Sequence, residues 1–250
     1  MAHDVAGNGA PMLLLHSGVC DRRMWEPQWA TLTTSFRVVR PDLRGFGETP
    51  LPAERFSFAA DIVELLDFLE IERACIAGSS LGGRVALELA SSAPERVERL
   101  ILLCSALRGF PSTPDADAFE AAEEAMFESG DLDGAVELNV RTWLGPEADD
   151  ATRELVRVMQ RRAFEVQVAA EEGPEQPEMT DTPVEPANIL VPTLVVSGGT
   201  DMDQFQAVAA HLAEAIPDAQ HVPLDWAGHL PSLERPEAVT ELIADFCTEA

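Results

Sequence analysis

Short apolar runs alternate with stretches of helical period over the first hundred positions of this chain. Ala74-Cys75-Ile76-Ala77 and Leu100-Ile101-Leu102-Leu103 are bounded, continuously apolar runs, the pattern of strands buried on both faces. Between them, Arg84-Val85-Ala86-Leu87-Glu88-Leu89-Ala90 places apolar residues at helical spacing. The same alternation returns near the end, with Thr193-Leu194-Val195-Val196 as a strand, 207–213 as a helix and 219–224 as a further strand. Strands alternating with helices predict a doubly wound, mostly parallel α/β sheet covered on both faces. From 108 to 188 the rhythm stops and no strand is predicted, a gap far beyond the usual connection of about 2–6 residues. Helical patterns fill it over 116–129, 132–144 and 151–170, followed by a loop rich in proline and acid over 171–187. An insertion after a strand's carboxyl end lies over the site in such a sheet. The expected organisation is therefore an α/β core of residues 1–107 and 188–250 with a helical cap of residues 108–187. Phe119, Met126, Phe127, Trp143, Met159 and Phe164 serve either as walls of a substrate pocket or as the cap's own core.

At 250 residues and 46% hydrophobic, the chain is large enough to bury one full core. Its formal charge of −27 argues against nucleic acid and anionic membrane as partners, because phosphate binding needs clustered cations. All 17 basic residues are arginine, and neither lysine nor tyrosine occurs. Without lysine there is no P-loop, no Schiff base to pyridoxal phosphate and no protein-kinase machinery. No glycine-rich dinucleotide fingerprint follows a strand, so no cofactor is expected and the partner is a small-molecule substrate. A homodimer is compatible with the chain. The start carries no basic segment, and the apolar run at 12–15 is too short for a secretory core or a membrane span. Cys20, Cys75, Cys104 and Cys247 are far apart and lack C-x-x-C spacing, which predicts neither a zinc site nor a disulfide framework. Cys75 and Cys104 read as small buried hydrophobes, Cys20 as a candidate reactive thiol, and the setting as reducing and cytoplasmic.

Between the strand at 74–77 and the helix at 84–90 lies Gly78-Ser79-Ser80-Leu81-Gly82. A G-x-S-x-G joining strand to helix is the signature of a nucleophile elbow, which makes Ser80 the candidate nucleophile. Gly78 and Gly82 flank it because side chains there would collide with the neighbouring strand and helix. The amide of Leu81, the residue after the nucleophile, is the first candidate oxyanion donor. A serine hydroxyl needs a base oriented by a third group, and in this turn type both follow it in the chain. Of the later histidines, His211 sits in a helical pattern and His221 in a strand. His229 occupies a loop past a strand, where catalytic groups are presented, and is the candidate base. Asp201 and Asp203 both fall in the turn after 193–196 and either can orient it. Asp203 better suits the cap of the helix starting near Gln204.

Five ordered segments resemble the α/β-hydrolase family almost end to end. Met12-Leu13-Leu14-Leu15-His16-Ser17-Gly18 is similar to its strand and His-Gly oxyanion loop, and 41–49 to its D-x-R-G-x-G-x-S turn. Gly78 to Gly83 resembles the elbow, Gly198-Gly199-Thr200-Asp201 the G-x-x-D acid turn, and Gly228-His229-Leu230-Pro231 the histidine loop. The resemblance selects Asp201 as the acid and Gly18 as the second oxyanion donor, with Val19 the near alternative. It makes His16 a structural residue outside the triad. The chain departs from the pattern at Ser17, which replaces the second glycine of the His-Gly pair, and at Thr49, which replaces serine. Residues 3–7 hold one short strand where the family usually has two. Among subgroups the chain is most similar to small esterases, enol-lactonases and cofactor-free haloperoxidases.

These features lead to a serine hydrolase acting through an acyl-enzyme on a small to medium, weakly polar ester, lactone or thioester. Catalysis is assigned to Ser80, Asp201 and His229, the oxyanion to the Leu81 and Gly18 amides, and substrate contacts to Val19 and Trp143; no metal is expected. The alternatives are a C–C bond hydrolase, or a cofactor-free cyclase or lyase on the same scaffold. A ligand-binding relative is disfavoured by the complete set of catalytic residue types.

Overall fold

The computed structural model describes residues 1–51, 55–171, 173, 177–180 and 182–248. In chain order its elements are β1 (His3–Ala6), β2 (Ala10–Leu15), α1 (Glu26–Leu32), β3 (Phe36–Pro41), β4 (Arg55–Phe56), α2 (Phe58–Phe68), β5 (Ala74–Ser79), α3 (Leu81–Ser92) and β6 (Val97–Leu103). There follow α4 (Pro114–Ser129), α5 (Leu132–Trp143), α6 (Asp150–Glu171), β7 (Glu178–Met179), β8 (Thr193–Gly198), α7 (Asp203–Ala215), β9 (Ala219–Leu224), α8 (Pro231–Glu234) and α9 (Pro236–Thr248). The main sheet has the order β1-β3-β2-β5-β6-β8-β9, parallel except for the antiparallel edge strand β1.

Strand periodicity sorts the core into two layers. Leu13, Leu15, Ile76, Leu100 and Leu102 point into one, filled by residues of α2, α3 and α7. Met12, Leu14, Cys75, Ala77, Ile101 and Leu103 point into the other, with α1, α9 and the insertion helices. Each buried strand is apolar on both faces because both faces are covered. The chain leaves β2 towards β3 on one side, and the later strands are added from β5 on the other. The loops after β2 and β5 therefore meet at a topological switch point on the sheet's carboxyl edge, where ligands bind in such sheets.

The three insertion helices are where helical spacing places them, with ends differing by a residue or two. Gly130, at φ 74°, ends α4 in the left-handed conformation. Asp131 caps α5 through the amide of Gly134 at 2.9 Å. The insertion reaches back to the carboxyl edge. Arg162 on α6 donates to the Gly47 carbonyl at 3.1 Å, and Gln167 to the Gly45 carbonyl at 3.4 Å.

Three expectations are corrected. First, 108–188 is not free of strand: Glu178–Met179 pairs in parallel with Arg55–Phe56, and Arg55 forms an ion pair with Glu178. Two-residue strands carry no periodicity, and positions 172, 174–176 and 181 of the acidic loop lie outside the described residues. Second, Cys75 is no isolated hydrophobe, because it is disulfide-bonded to Cys247 of α9, 172 residues away. A bridge between remote positions has no local signature, and it withdraws the cysteine support for a reducing setting. Third, Cys20 is fully buried and burial pushes its thiol well above the ordinary range, so it is not a reactive thiol. Among the described residues no helix is long and apolar enough to cross a membrane.

Candidate active site

The elbow follows from where its glycines sit. A Cβ on Gly78 would lie 2.3 Å from the Gly82 carbonyl oxygen, and one on Gly82 would lie 2.3 Å from that of Leu15. Strand and helix can close to this distance only without side chains. The turn forces Ser80 to φ 53° and ψ −111°, a conformation that costs a non-glycine residue about 1–3 kcal/mol. It is held by its own backbone: the Ser80 amide donates to Leu103, and its carbonyl accepts from Arg84 and Ala106 at 3.0 and 3.1 Å. Ser80 is partly exposed, whereas Ser79 is buried in β5. Gly18, in the loop after β2, is adjacent: a Cβ on it would lie 3.5 Å from Leu81 Cβ. The elbow amide and the oxyanion loop thus come from neighbouring strands.

Asp201 and His229 come from the carboxyl ends of β8 and β9. His229 Nδ1 and Asp201 Oδ2 are 2.8 Å apart, with both side chains almost fully buried. The other carboxylate oxygen accepts the Met202 amide at 2.8 Å. The two loops are stitched together, Gly199 donating to Leu224 and Thr200 to Ala227, each at 2.9 Å. A Cβ on Gly198 would fall 2.1 Å from the Gly228 oxygen, so the acid turn needs glycine there. Asp203 is exposed and is the first residue of α7, which corrects its reading as a cap. Met202 occupies the N-cap position, and the Asp203 amide is satisfied at 2.7 Å by Asp115 of α4. This cross-chain cap lies outside what local spacing can reveal.

The remaining histidines separate cleanly. His16 is buried; its Nδ1 bonds the Ser17 carbonyl at 2.8 Å and its Nε2 accepts the Leu43 amide at 2.9 Å, so the neutral ring braces two loops. Burial lowers its pKa despite that carbonyl and the nearby Asp42 and Asp21. His221 bonds Ser197 Oγ at 2.9 Å on an exposed stretch of β9, and His211 is exposed on α7. The 41–49 turn closes on Asp42, whose carboxylate accepts the amides of Arg22 at 2.8 Å and Glu48 at 2.9 Å. Thr49 Oγ1 accepts the Ala2 amide there at 2.9 Å, a bond that a serine hydroxyl could also make.

Aromatic rings wall the site. Phe205 and Trp143 both pack against His229 with tilted rings, centroids 4.1 and 4.6 Å away. Asn139 fixes the indole by accepting from Trp143 Nε1 at 2.7 Å, and it donates in turn to Glu123 at 2.5 Å. Val19 lies in the same apolar cluster as Trp143 and Leu230. Sequence reasoning missed Phe205 and Asn139, and it read Cys104 only as the small buried hydrophobe that it is. Phe205 was within reach, standing four residues past Asp201 on the first turn of α7. A cavity of about 390 Å³ opens beside these rings, lined by Ala106, Phe110, Phe119, Trp143, Met202 and Phe205. A second of about 540 Å³ is lined by Phe46, Phe58, Leu81, Gln167 and Met179. A larger cleft of about 990 Å³ lies at the amino ends of the strands, around Pro11, Arg37, Arg73 and Arg96, and shares no residue with the site. Cys104 Sγ, an Asp201 oxygen and a His229 ring nitrogen lie within 4.8 Å of one another. Burial and Asp201 push that thiol well up, so it stays protonated, and His229 Nδ1 is already bonded to Asp201. These donors suit the hydrogen-bonded pair better than a metal ion.

Residues 12–242 match the model of the alpha/beta hydrolase family. A 2-hydroxymuconate semialdehyde hydrolase from Pseudomonas sp. (strain CF600) is 32% identical over 99% of this chain and 90% of its own length. The solved enol-lactonase from Burkholderia xenovorans LB400 superimposes with a TM-score of 0.82 at 27% identity, covering 99% of this chain and 96% of that one. A thermophilic esterase from Thermogutta terrifontis gives a TM-score of 0.76 at 28% identity, with coverage of 98% and 92%. The chain belongs to the alpha/beta hydrolase family, and it is a hydrolase.

Proposed function

We propose that this hydrolase cleaves a small to medium, weakly polar ester, lactone or thioester through an acyl-enzyme on Ser80. The observation that carries the proposal is the buried Asp201–His229 pair at the same sheet edge as the strained elbow of Ser80. In this mechanism Asp201 holds the His229 proton on Nδ1, which leaves Nε2 as the base. Nε2 takes the Ser80 proton as Oγ attacks the carbonyl and returns it to the leaving group. The Leu81 and Gly18 amides receive the negative oxygen, Leu81 at the start of α3 where the helix dipole adds to the effect. Water, activated by the same histidine, then releases the acid. Helices α4 to α6 act as the cap over this edge, and Trp143 meets the substrate. The enol-lactonase and the esterase support C–O bond cleavage. The relative named for a semialdehyde supports the second reading, hydrolysis of a C–C bond on the same scaffold.

Short p-nitrophenyl esters test the first reading, and a burst followed by slower turnover is expected. Apolar acyl groups should outperform anionic ones, because a chain of net charge −27 repels anions at long range. An intact, labelable Ser80 with no turnover of any ester, lactone or thioester would pass the assignment to the C–C or non-hydrolytic alternative.

A further inference from the structure

The histidine loop is held by a residue that takes no part in the mechanism above. Glu234 ends α8 and is 7% exposed, yet its carboxylate faces backbone amides. Both oxygens lie close to the Gly228 amide, at 3.1 and 3.0 Å, and the carboxylate also lies against the Gly145 backbone. Gly228 directly precedes His229 in the chain. The His229 amide itself donates to the Trp143 carbonyl, the last residue of α5, at 3.1 Å. Two consecutive amides of the loop are therefore tied down, Gly228 by Glu234 and His229 by Trp143. Gly145 belongs to the insertion too, in the corner between α5 and α6, where its carbonyl accepts from Arg153 at 3.0 Å. The two glycine backbones touch: a Cβ on Gly145 would lie 2.4 Å from Glu234 Oε2 and 2.6 Å from the Gly228 nitrogen, and one on Gly228 would lie 2.4 Å from the Gly145 nitrogen.

We propose that Glu234 is a positioning residue that clamps the His229 loop to the α5–α6 corner, so that the catalytic base and the insertion move as one body. The proposal rests on His229 acting as the base. Burying a carboxylate is costly, and the Gly228 amide, shared by both oxygens, offsets part of that cost. Burial and the nearby Asp201 raise the carboxyl's pKa while the Gly228 amide lowers it, and the net shift is upward. The charged or titratable groups around it are Asp201 and the Cys104 thiol on the site side, with Arg153 on the Gly145 carbonyl. Holding the base within a fraction of an ångström of the productive geometry matters, since a displacement of about 1 Å can cost on the order of a hundredfold in rate.

Glu234→Gln is close to isosteric, removes the charge and turns one acceptor into a donor facing an amide hydrogen. Its kcat/KM on a p-nitrophenyl ester should fall about 10- to 100-fold. The loss should fall on kcat with KM within about twofold, and the amides of the His229 loop should exchange with deuterium faster, because the loop has lost an acceptor. Gly145→Ala, which wedges the same contact from the insertion, should lose activity likewise. The double variant should lose no more than the worse single one, as expected for a unit already broken. Additive losses, a loss carried by KM alone, or loop-amide exchange unchanged in Glu234→Gln would overturn the clamp. A native chain that turns over no ester and resists phosphonate at Ser80 would instead remove the serine-hydrolase proposal, and the amide exchange would still decide the clamp.

Discussion

Replacing Asp201 by asparagine separates the orienting role of this residue from its size. The carboxylate has two tasks, Oδ2 facing His229 Nδ1 and Oδ1 accepting the Met202 amide, each at 2.8 Å. An asparagine can turn its carbonyl to only one of them. With the oxygen towards His229, the amide group meets the Met202 N–H donor to donor, and a buried backbone N–H loses its acceptor at a cost of about 1–3 kcal/mol. With the oxygen towards Met202, both contacts survive, but the amide group donates to Nδ1 and the imidazole carries its proton on Nε2. The second arrangement is favoured by roughly that 1–3 kcal/mol, which leaves about one molecule in ten to one in a hundred with Nε2 free as the base. Loss of the carboxylate charge also removes stabilisation of the imidazolium formed during attack. Together these should lower kcat by up to roughly ten-thousandfold, as in other Ser-His-Asp systems. Asp203→Asn, at an exposed position on the first turn of α7, should cost no more than about 1 kcal/mol of stability through the helix dipole. Steady-state kcat for both variants, with melting temperatures as controls, decides the matter. Equal kcat in Asp201→Asn and the native chain, or a larger loss in Asp203→Asn, would refute the assignment.

The Cys75–Cys247 bridge closes a loop of 172 residues, for which chain entropy sets a limit of about 5 kcal/mol, with typical losses of about 2–4 kcal/mol. Cys247→Ser should lower the denaturation midpoint and abolish its dependence on reductant; an unchanged midpoint would deny the bridge. Cys75 sits at the amino end of β5 and Ser80 just past its carboxyl end, so kcat should stay within about twofold. His16, whose folded pKa is lowered by burial, binds a proton more readily when unfolded. Its contribution to stability should therefore be full above about pH 6.5 and decline as the pH falls through that unfolded value towards the folded one. Denaturant titrations between pH 7 and 5 should show this slope, and His16→Gln should remove it.

The parts of the site that depend on one turn were readable from the sequence, because a turn's residues must themselves permit its geometry. The elbow declares itself through Gly78 and Gly82, and the acid turn through Gly198, since a Cβ at any of the three would strike backbone. The three helices α4 to α6 were readable as a break in rhythm. What escaped depends on surfaces that meet only after folding. Asp115 caps α7 from a helix that begins 89 residues earlier (203 − 114), and Cys75 meets Cys247 across the core. Glu234 stands five residues past His229 in a stretch that reads as an ordinary amphipathic helix start. Only burial and its bond to the Gly228 amide mark it out within a strongly acidic chain.

The central claim is that Ser80 forms a covalent bond with its substrate's acyl group. Incubation with a fluorophosphonate, followed by proteolysis and mass spectrometry, tests it directly. The account predicts one adduct, on Ser80, formed faster than on any surface serine and lost in Ser80→Ala together with at least about a thousandfold of the rate. An adduct that persists in Ser80→Ala and disappears in Ser79→Ala, or no adduct on a folded native chain, would contradict it.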